Sequence, residues 1–175
     1  VHASTREDEW IERIKGNSYK EIADNGGGIL NSAKKLQETS FEDLLNQAKD
    51  RLQKVIESGT GAIEIKSGYG LTLESELKIL RVIKELKNSS PVTIKATLLA
   101  AHALPLEFKG RKDEYLDLII DKLLPIVEQE GLADYIDIFC EKGYFSVSDL
   151  NRLLIAGKKH GLQAKTHVNQ FTTLG

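Results

Sequence analysis

Residues 61–70, with the sequence G-A-I-E-I-K-S-G-Y-G, decide how the rest of the chain is interpreted. The first half alternates between isoleucine and a charged residue, which predicts a short strand with one apolar face and one polar face. The second half places Tyr69 between two glycines, which predicts a tight turn that presents its hydroxyl. Thr72 can then act as the N-cap of a helix. Strand, turn and helix in this order predict one βα unit.

The same order recurs along the chain, and this recurrence predicts an α/β fold with a parallel sheet. Strands are predicted at 61–66, 92–99, 135–140 and 163–168. The helices are predicted to begin at the caps Ser40, Thr72 and Ser146, with another helix over 113–130 in which Pro125 is expected to produce a kink.

The polar face of each predicted strand favours a barrel over an open doubly wound sheet. Helices cover both faces of the central strands in a doubly wound sheet, so those strands are apolar on both faces. Here one face of the successive strands carries Glu64, Lys95, Asp137 and Lys165. We predict that these four side chains form a ladder of alternating charge inside a polar barrel lumen.

Four strands make up about half of a (β/α)₈ barrel of the TIM type, which takes about 250 residues. The chain has 175 residues, begins at Val1 and contains no methionine. We therefore interpret residues 1–175 as roughly the first half of a barrel and as an internal piece of a longer protein. The alternative is a half-barrel that covers its two open edges by pairing with another copy, which predicts a homodimer.

Composition narrows the class of protein. The net charge of −2 and the 41% hydrophobic content are those of an ordinary globular protein. The sequence has no basic stripe of the kind that binds nucleic acid or a membrane surface. It also has no apolar run as long as a membrane span. A single cysteine, Cys140, excludes an internal disulfide and favours a cytoplasmic location.

Several polar residues fall at the C-terminal ends of the predicted strands, where parallel barrels carry their active sites. They are Tyr69, His102, Glu141, His167 and Gln170. His102 suits a hydrogen-bond donor or general acid, but also fits an ordinary surface loop. His167 suits a ligand for Zn²⁺ or iron and equally a packed strand histidine.

Five segments together resemble the imidazolonepropionase family. They are the run at 26–30, I-K-S-G-Y-G-L at 65–71, A-H-A at 101–103, F-C-E at 139–141 and K-T-H-V-N-Q at 165–170. The resemblance covers essentially the whole chain. It implies a metal-dependent amidohydrolase on a (β/α)₈ barrel, with a flanking β-sandwich and a C-terminal half-barrel that these 175 residues lack. The implied reaction is hydrolysis of 4-imidazolone-5-propanoate to N-formimidoyl-L-glutamate in histidine degradation.

The resemblance also implies a role for each matching residue. Arg6 would hold the substrate carboxylate, although its charged surroundings alone indicate only a solvated surface. Tyr69 and His102 would bind near the ring and its carbonyl. His167 would be one ligand of a single Zn²⁺, Fe²⁺ or Fe³⁺ ion. Gln170 would contact the substrate near the metal-activated water and, with His102, would be catalytic.

Other parts of the family pattern lie outside this sequence. A His-x-His pair of metal ligands would fall immediately before Val1, and a further histidine and an aspartate would follow later. We therefore expect activity of the parent enzyme and little turnover by these residues alone. The alternatives are another amidohydrolase, such as a deaminase or a hydantoinase-like enzyme, and a non-catalytic half-barrel that self-associates.

Overall fold

The computed structural model describes residues 1–3, 7–16 and 29–173. The helices are α1 (Glu7–Ile14), α2 (Ile29–Glu38), α3 (Phe41–Glu57), α4 (Leu73–Ser89), α5 (Lys112–Leu118), α6 (Leu124–Glu130) and α7 (Val147–Lys159). The strands are β1 (Ala62–Lys66), β2 (Thr93–Ala101), β3 (Tyr135–Cys140), β4 (Gln163–Ala164) and β5 (His167–Val168). No helix within these ranges combines the length and the apolar character needed to cross a membrane.

All the paired strands are parallel, in the order β1-β2-β3-β4, and β5 also pairs with β3. Ala164 lies opposite Ile136 and His167 lies opposite Phe139, so β4 and β5 follow one strand path. This path is the strand predicted over 163–168. The sheet and its alternating helices confirm the predicted α/β fold, consistent with half of a TIM-type barrel.

Local capping signals explain where three of the helices begin. Ser40 accepts a hydrogen bond from the Asp43 N–H at the start of α3, and Thr72 accepts one from the Ser75 N–H at the start of α4. Ser146 and Asp149 form a complete capping box at the start of α7. The sequence predicted all three caps, because each depends on residues only three positions apart.

The helix predicted over 113–130 is regular at both ends and irregular in the middle. Residues Ile119–Leu123 form a π-helical turn between α5 and α6, and Pro125 lies in the first turn of α6. Proline has no N–H, and its ring crowds the carbonyl four residues earlier. The wider π turn accommodates that ring. The irregularity therefore lies just before Pro125. The sequence had predicted a kink at the proline itself.

The apolar faces of the strands and helices form one continuous core between the sheet and its helical layer. Ile94 and Ile136 from the sheet, and Leu80, Ile83 and Leu116 from the helices, are at most 2% exposed. This burial supplies the main stabilisation of the fold. It also leaves the other face of the sheet to the polar side chains.

The polar face carries a network of charges that differs in one member from the predicted ladder. Lys66 Nζ donates to Glu64 Oε1 at 2.6 Å and to Asp137 Oδ2 at 3.2 Å, and Lys165 Nζ lies 2.9 Å from Glu64 Oε1. The prediction that Lys95 belongs to the ladder is wrong, because its Nζ contacts Asp134 Oδ1 at 3.2 Å. Asp134 immediately precedes β3, so the long Lys95 side chain pairs at the N-terminal end of the sheet.

This network makes the stability of the protein sensitive to acid. Burial disfavours the Glu64 carboxylate, but hydrogen bonds from Lys66, Thr97 and Lys165 outweigh that effect and lower its pKa from 4.5 to about 2. A lowered folded-state pKa stabilises the protein above the unfolded pKa, and this contribution is lost as the pH falls. Between pH 5 and pH 2, the free energy of unfolding should therefore fall less in Glu64→Gln than in the wild type. Urea unfolding at each pH measures this difference. Glu85→Gln, at an exposed position of α4, should behave like the wild type, and equal acid losses in all three proteins would contradict this prediction.

Candidate active site

A cavity of about 410 Å³ opens at the C-terminal ends of the strands. Four of the residues predicted from sequence line it, namely Tyr69, His102, His167 and Gln170. Tyr69 follows β1, His102 follows β2, and His167 and Gln170 lie in and after β5. Parallel strands place these ends at one edge of the sheet, which accounts for their convergence. Of the other residues predicted at the site, Glu141 is not part of the lining and Arg6 lies outside the described residues. The roles predicted for the four lining residues and for Arg6 stay predictions.

Tyr69 is presented by a turn that is tied to the start of α4. The Glu76 carboxylate accepts the backbone N–H groups of Gly68 at 2.8 Å, Gly70 at 2.7 Å and Leu71 at 3.2 Å. The Tyr69 ring packs edge-on against the His102 ring, with 5.2 Å between their centroids. The turn therefore holds an aromatic side chain against the second predicted site residue.

His102 has a defined tautomer in its neutral form. Its Nδ1 lies 3.1 Å from the Gly68 carbonyl oxygen, and a carbonyl can only accept, so Nδ1 carries the proton. Burial lowers the pKa of His102, which favours this neutral ring. Nε2 is then a hydrogen-bond acceptor. The sequence analysis expected a donor to a substrate oxygen or a general acid, and Nε2 can act in that way only when the ring is protonated.

His167 has a carboxylate directly behind its ring. Its Nδ1 lies 2.8 Å from Oδ2 of Asp137, a carboxylate that is 1% exposed. The distance suits an ion pair, but the angles do not make a hydrogen bond. In metal sites the supporting carboxylate usually accepts a hydrogen bond from one ring nitrogen and leaves the other for the metal. Asp137 is near enough to Nδ1 for such support although that hydrogen bond is not formed, so Nε2 is the nitrogen of His167 that fits a ligand role.

A complete metal site does not form within the described ranges. These residues contain no group of three or more His, Cys, Asp or Glu side chains that could hold an ion. Cys140 is buried, and burial next to Glu141 raises the pKa of its thiol, which does not suit a ligand or a nucleophile. His102 and His167 are the imidazoles of the cavity lining, the ligand type that suits zinc and iron, and His167 is the one predicted as a ligand.

Gln170 lies on a turn that is held by a second glutamate. The Glu141 carboxylate accepts the backbone N–H groups of Gln170 at 2.5 Å, Phe171 at 3.0 Å and Thr172 at 3.2 Å. The N–H of Phe171 and its neighbours lower the pKa of Glu141, so this acceptor is ionised at neutral pH. Sequence analysis placed Glu141 at the site but did not predict this contact.

The cavity also has an aromatic wall that sequence analysis missed. Phe139, Tyr144 and Phe171 line it, and the Phe139 ring lies 4.7 Å from that of Tyr144 and 5.9 Å from that of Phe171. Phe139 could have been found, because it lies two positions after Asp137 and therefore on the same, polar face of β3. Tyr144 and Phe171 lie in loops, and no local pattern places them together.

Known proteins resemble this chain over its whole length. The imidazolonepropionase of Christiangramia forsetii is 58% identical over 175 residues, which is 100% of this chain and 43% of that protein. The imidazolonepropionase of Yersinia enterocolitica is 47% identical over 174 residues, which is 99% of this chain and again 43% of that protein. The predicted resemblance to imidazolonepropionases is confirmed.

A third imidazolonepropionase, from Flavobacterium psychrophilum, is 56% identical over 175 residues. The chain spans 43% of the length of each of these curated imidazolonepropionases. No family model matches the chain. Two of these alignments cover all 175 residues, so they include the segments that line the cavity.

Proposed function

We propose that the protein containing this chain hydrolyses the cyclic amide of 4-imidazolone-5-propanoate to N-formimidoyl-L-glutamate in histidine degradation. The observation that carries this proposal is the cavity in which Tyr69, His102, His167 and Gln170 meet, within a chain 58% identical to an imidazolonepropionase. A ring with amide groups and a carboxylate tail matches the polar and aromatic character of the lining.

The side chains around the cavity suit different parts of such a substrate. His102 Nε2 accepts a hydrogen bond in the neutral ring, so it pairs with an N–H of the imidazolone. The aromatic wall that includes Phe139 packs against the planar ring. Gln170 offers an amide that can donate and accept near the reacting carbonyl. Arg6 is proposed to hold the propionate carboxylate through a bidentate pair.

We also propose one bound Zn²⁺, Fe²⁺ or Fe³⁺ ion, for which His167 supplies one ligand. The residues fit this role because the Asp137 carboxylate lies 2.8 Å from Nδ1, on the side of the ring away from Nε2, which would coordinate the ion. His167 would hold the ion through Nε2, and the chemistry supplied there would be polarisation of the amide carbonyl and activation of a water molecule. Asp137 is proposed to orient the His167 ring through its contact with Nδ1.

The remaining proposals concern the setting of the enzyme. A cytoplasmic location is proposed from the presence of one cysteine, Cys140, in a metabolic hydrolase. A homodimer is proposed for the alternative of a half-barrel, in which the outer strands β1 and β4 would pair with a second copy. A small molecule with a carboxylate is the proposed partner in the cavity.

The test is turnover by the protein expressed from its complete reading frame. We expect loss of 4-imidazolone-5-propanoate with formation of N-formimidoyl-L-glutamate, identified by mass and NMR. Removal of the metal with a chelator should abolish turnover, and added Zn²⁺ or Fe²⁺ should restore it. Preferential turnover of cytosine or a hydantoin would assign another amidohydrolase activity. A stable dimer without turnover of any of these compounds would favour the non-catalytic half-barrel.

Tyr69→Phe should weaken this activity. Loss of one hydroxyl hydrogen bond to the substrate costs about 1 kcal/mol, so we expect KM to rise or kcat to fall at least about fivefold. Tyr115→Phe is the matched control, because the Tyr115 hydroxyl donates to the Ala100 carbonyl at 3.0 Å within the core. That control should alter stability and leave the kinetics unchanged. Unchanged kinetics in Tyr69→Phe would remove Tyr69 from the site.

A further inference from the structure

A buried carboxylate stands behind the turn that presents Tyr69. Glu76 is 1% exposed, and its two oxygens accept three backbone N–H groups, from Gly68, Gly70 and Leu71. In sequence, Glu76 looks like an ordinary acidic residue in the first turn of α4, together with Glu74. The structure separates the two, because Glu74 is exposed and Glu76 points into the turn.

We propose that Glu76 is a positioning residue that holds the turn at 67–71 so that His102 and Tyr69 are correctly oriented for substrate. The proposal rests on the proposed function of the cavity and adds a residue that does not line it. Glu76 acts through the backbone of the turn. Its role is distinct from that of a group that touches the substrate.

The contacts form a continuous path from Glu76 to His102. Glu76 holds the Gly68 N–H, and the carbonyl oxygen of the same Gly68 lies 3.1 Å from His102 Nδ1. Ser67 Oγ accepts the Leu99 N–H at 3.0 Å, which ties the turn to β2, the strand that leads to His102. Movement of Gly68 would therefore remove the group that fixes the His102 tautomer.

The backbone of the turn needs such an anchor. Gly68 has φ +99° and Leu71 has φ +59°, and the left-handed region is costly for leucine. Strained backbone persists only where its surroundings hold it in place. The Glu76 carboxylate accepts the N–H groups of both residues, so it holds the turn at both positive-φ positions, of which Leu71 is the strained one.

The Gln170 turn has the same construction. Glu141, which is 2% exposed, bonds three successive backbone N–H groups next to Asn169, whose φ is +57°. Two turns at the C-terminal end of the sheet, after β1 and after β5, are thus each held by a buried carboxylate and each include a non-glycine residue in the left-handed region. The repetition supports a common role in fixing the walls of the cavity.

The test compares Glu76→Gln with Glu74→Gln in the protein expressed from its complete reading frame. Both variants replace a carboxyl group with an amide in the first turn of α4, and of the two only Glu76 contacts the 67–71 turn. We measure kcat and KM with 4-imidazolone-5-propanoate. We also record ¹⁵N NMR spectra of histidine-labelled protein, in which the ring nitrogen shifts report the tautomer. The His102 signal is assigned from its loss in His102→Asn.

In the wild type and in Glu74→Gln we expect His102 to be protonated at Nδ1. In Glu76→Gln we expect this signature to be lost and kcat/KM to fall at least about tenfold, because small displacements of site groups are costly. Glu76→Asp is the second variant if Glu76→Gln does not fold. The aspartate side chain is one methylene shorter, so its carboxylate cannot reach all three N–H groups of the turn. We therefore expect the same loss of the Nδ1 signature and the same fall in kcat/KM.

Retention of the Nδ1 proton and of wild-type kcat/KM in a folded Glu76 variant would overturn the proposal. The NMR measurement does not depend on turnover. If the wild type fails to hydrolyse the substrate but the His102 tautomer still changes in Glu76→Gln, the proposed function fails and the positioning role stands.

Discussion

Gly68→Ala is expected to destabilise the protein by about 2 to 4 kcal/mol and to abolish most of its activity. A Cβ at position 68 would lie 2.5 Å from the Leu99 carbonyl oxygen and 3.1 Å from the His102 Cβ. The φ of +99° is also unfavourable for alanine. The turn must move away from β2, and it then carries Tyr69 and the hydrogen-bond acceptor of His102 with it.

Gly59→Ala separates the steric clash from the backbone strain. Gly59 follows α3 with φ +91°, and no heavy atom lies within 4 Å of a Cβ built there. This variant should lose about 1 to 2 kcal/mol from strain alone and keep its kcat/KM. Urea unfolding and steady-state kinetics of both variants measure the difference. Equal stability losses in both, with activity retained in Gly68→Ala, would contradict the assigned geometry of the turn.

His167→Ala is expected to lower kcat at least about a thousandfold and to reduce the bound metal, because a metal ion contributes several kcal/mol to such a hydrolysis. Metal content by mass spectrometry and kcat of the purified protein measure both effects. Rescue of the variant by free imidazole would strengthen the assignment.

His160→Ala is the matched control for His167→Ala. His160 follows α7 in the outer layer, and its Nδ1 lies 2.7 Å from Oε2 of Glu128. Its loss should leave both the metal content and kcat unchanged. Full metal content together with wild-type kcat in His167→Ala would show that His167 is a packed strand histidine, which was the alternative for this position from sequence alone.

Local patterns were sufficient to predict the strands, the caps and the meeting of four residues in one cavity. The alternation in β1 and the capping box at Ser146 each depend on residues within a few positions of one another. Parallel strands then place their C-terminal ends together, so Tyr69 and His167 could be assigned to one site before the structure was known.

Contacts between distant parts of the chain could not be predicted in this way. Lys95 and Lys66 occupy equivalent faces of neighbouring strands, and only the position of Asp134 decides that Lys95 pairs at the other end of the sheet. The Glu141 carboxylate bonds residues about 30 positions later, and no short sequence pattern encodes that distance. The tautomer of His102 likewise depends on a carbonyl 34 positions earlier.

Anomalous X-ray diffraction from crystals of the protein expressed from its complete reading frame tests the account most directly. We predict an anomalous peak of Zn or Fe about 2.0 to 2.2 Å from His167 Nε2, in the cavity lined by Tyr69, His102 and Gln170. Asp137 should remain behind Nδ1. A metal bound elsewhere, or a metal-loaded and active protein in which His167 makes no contact with the ion, would contradict the assignment of this cavity as the hydrolytic site.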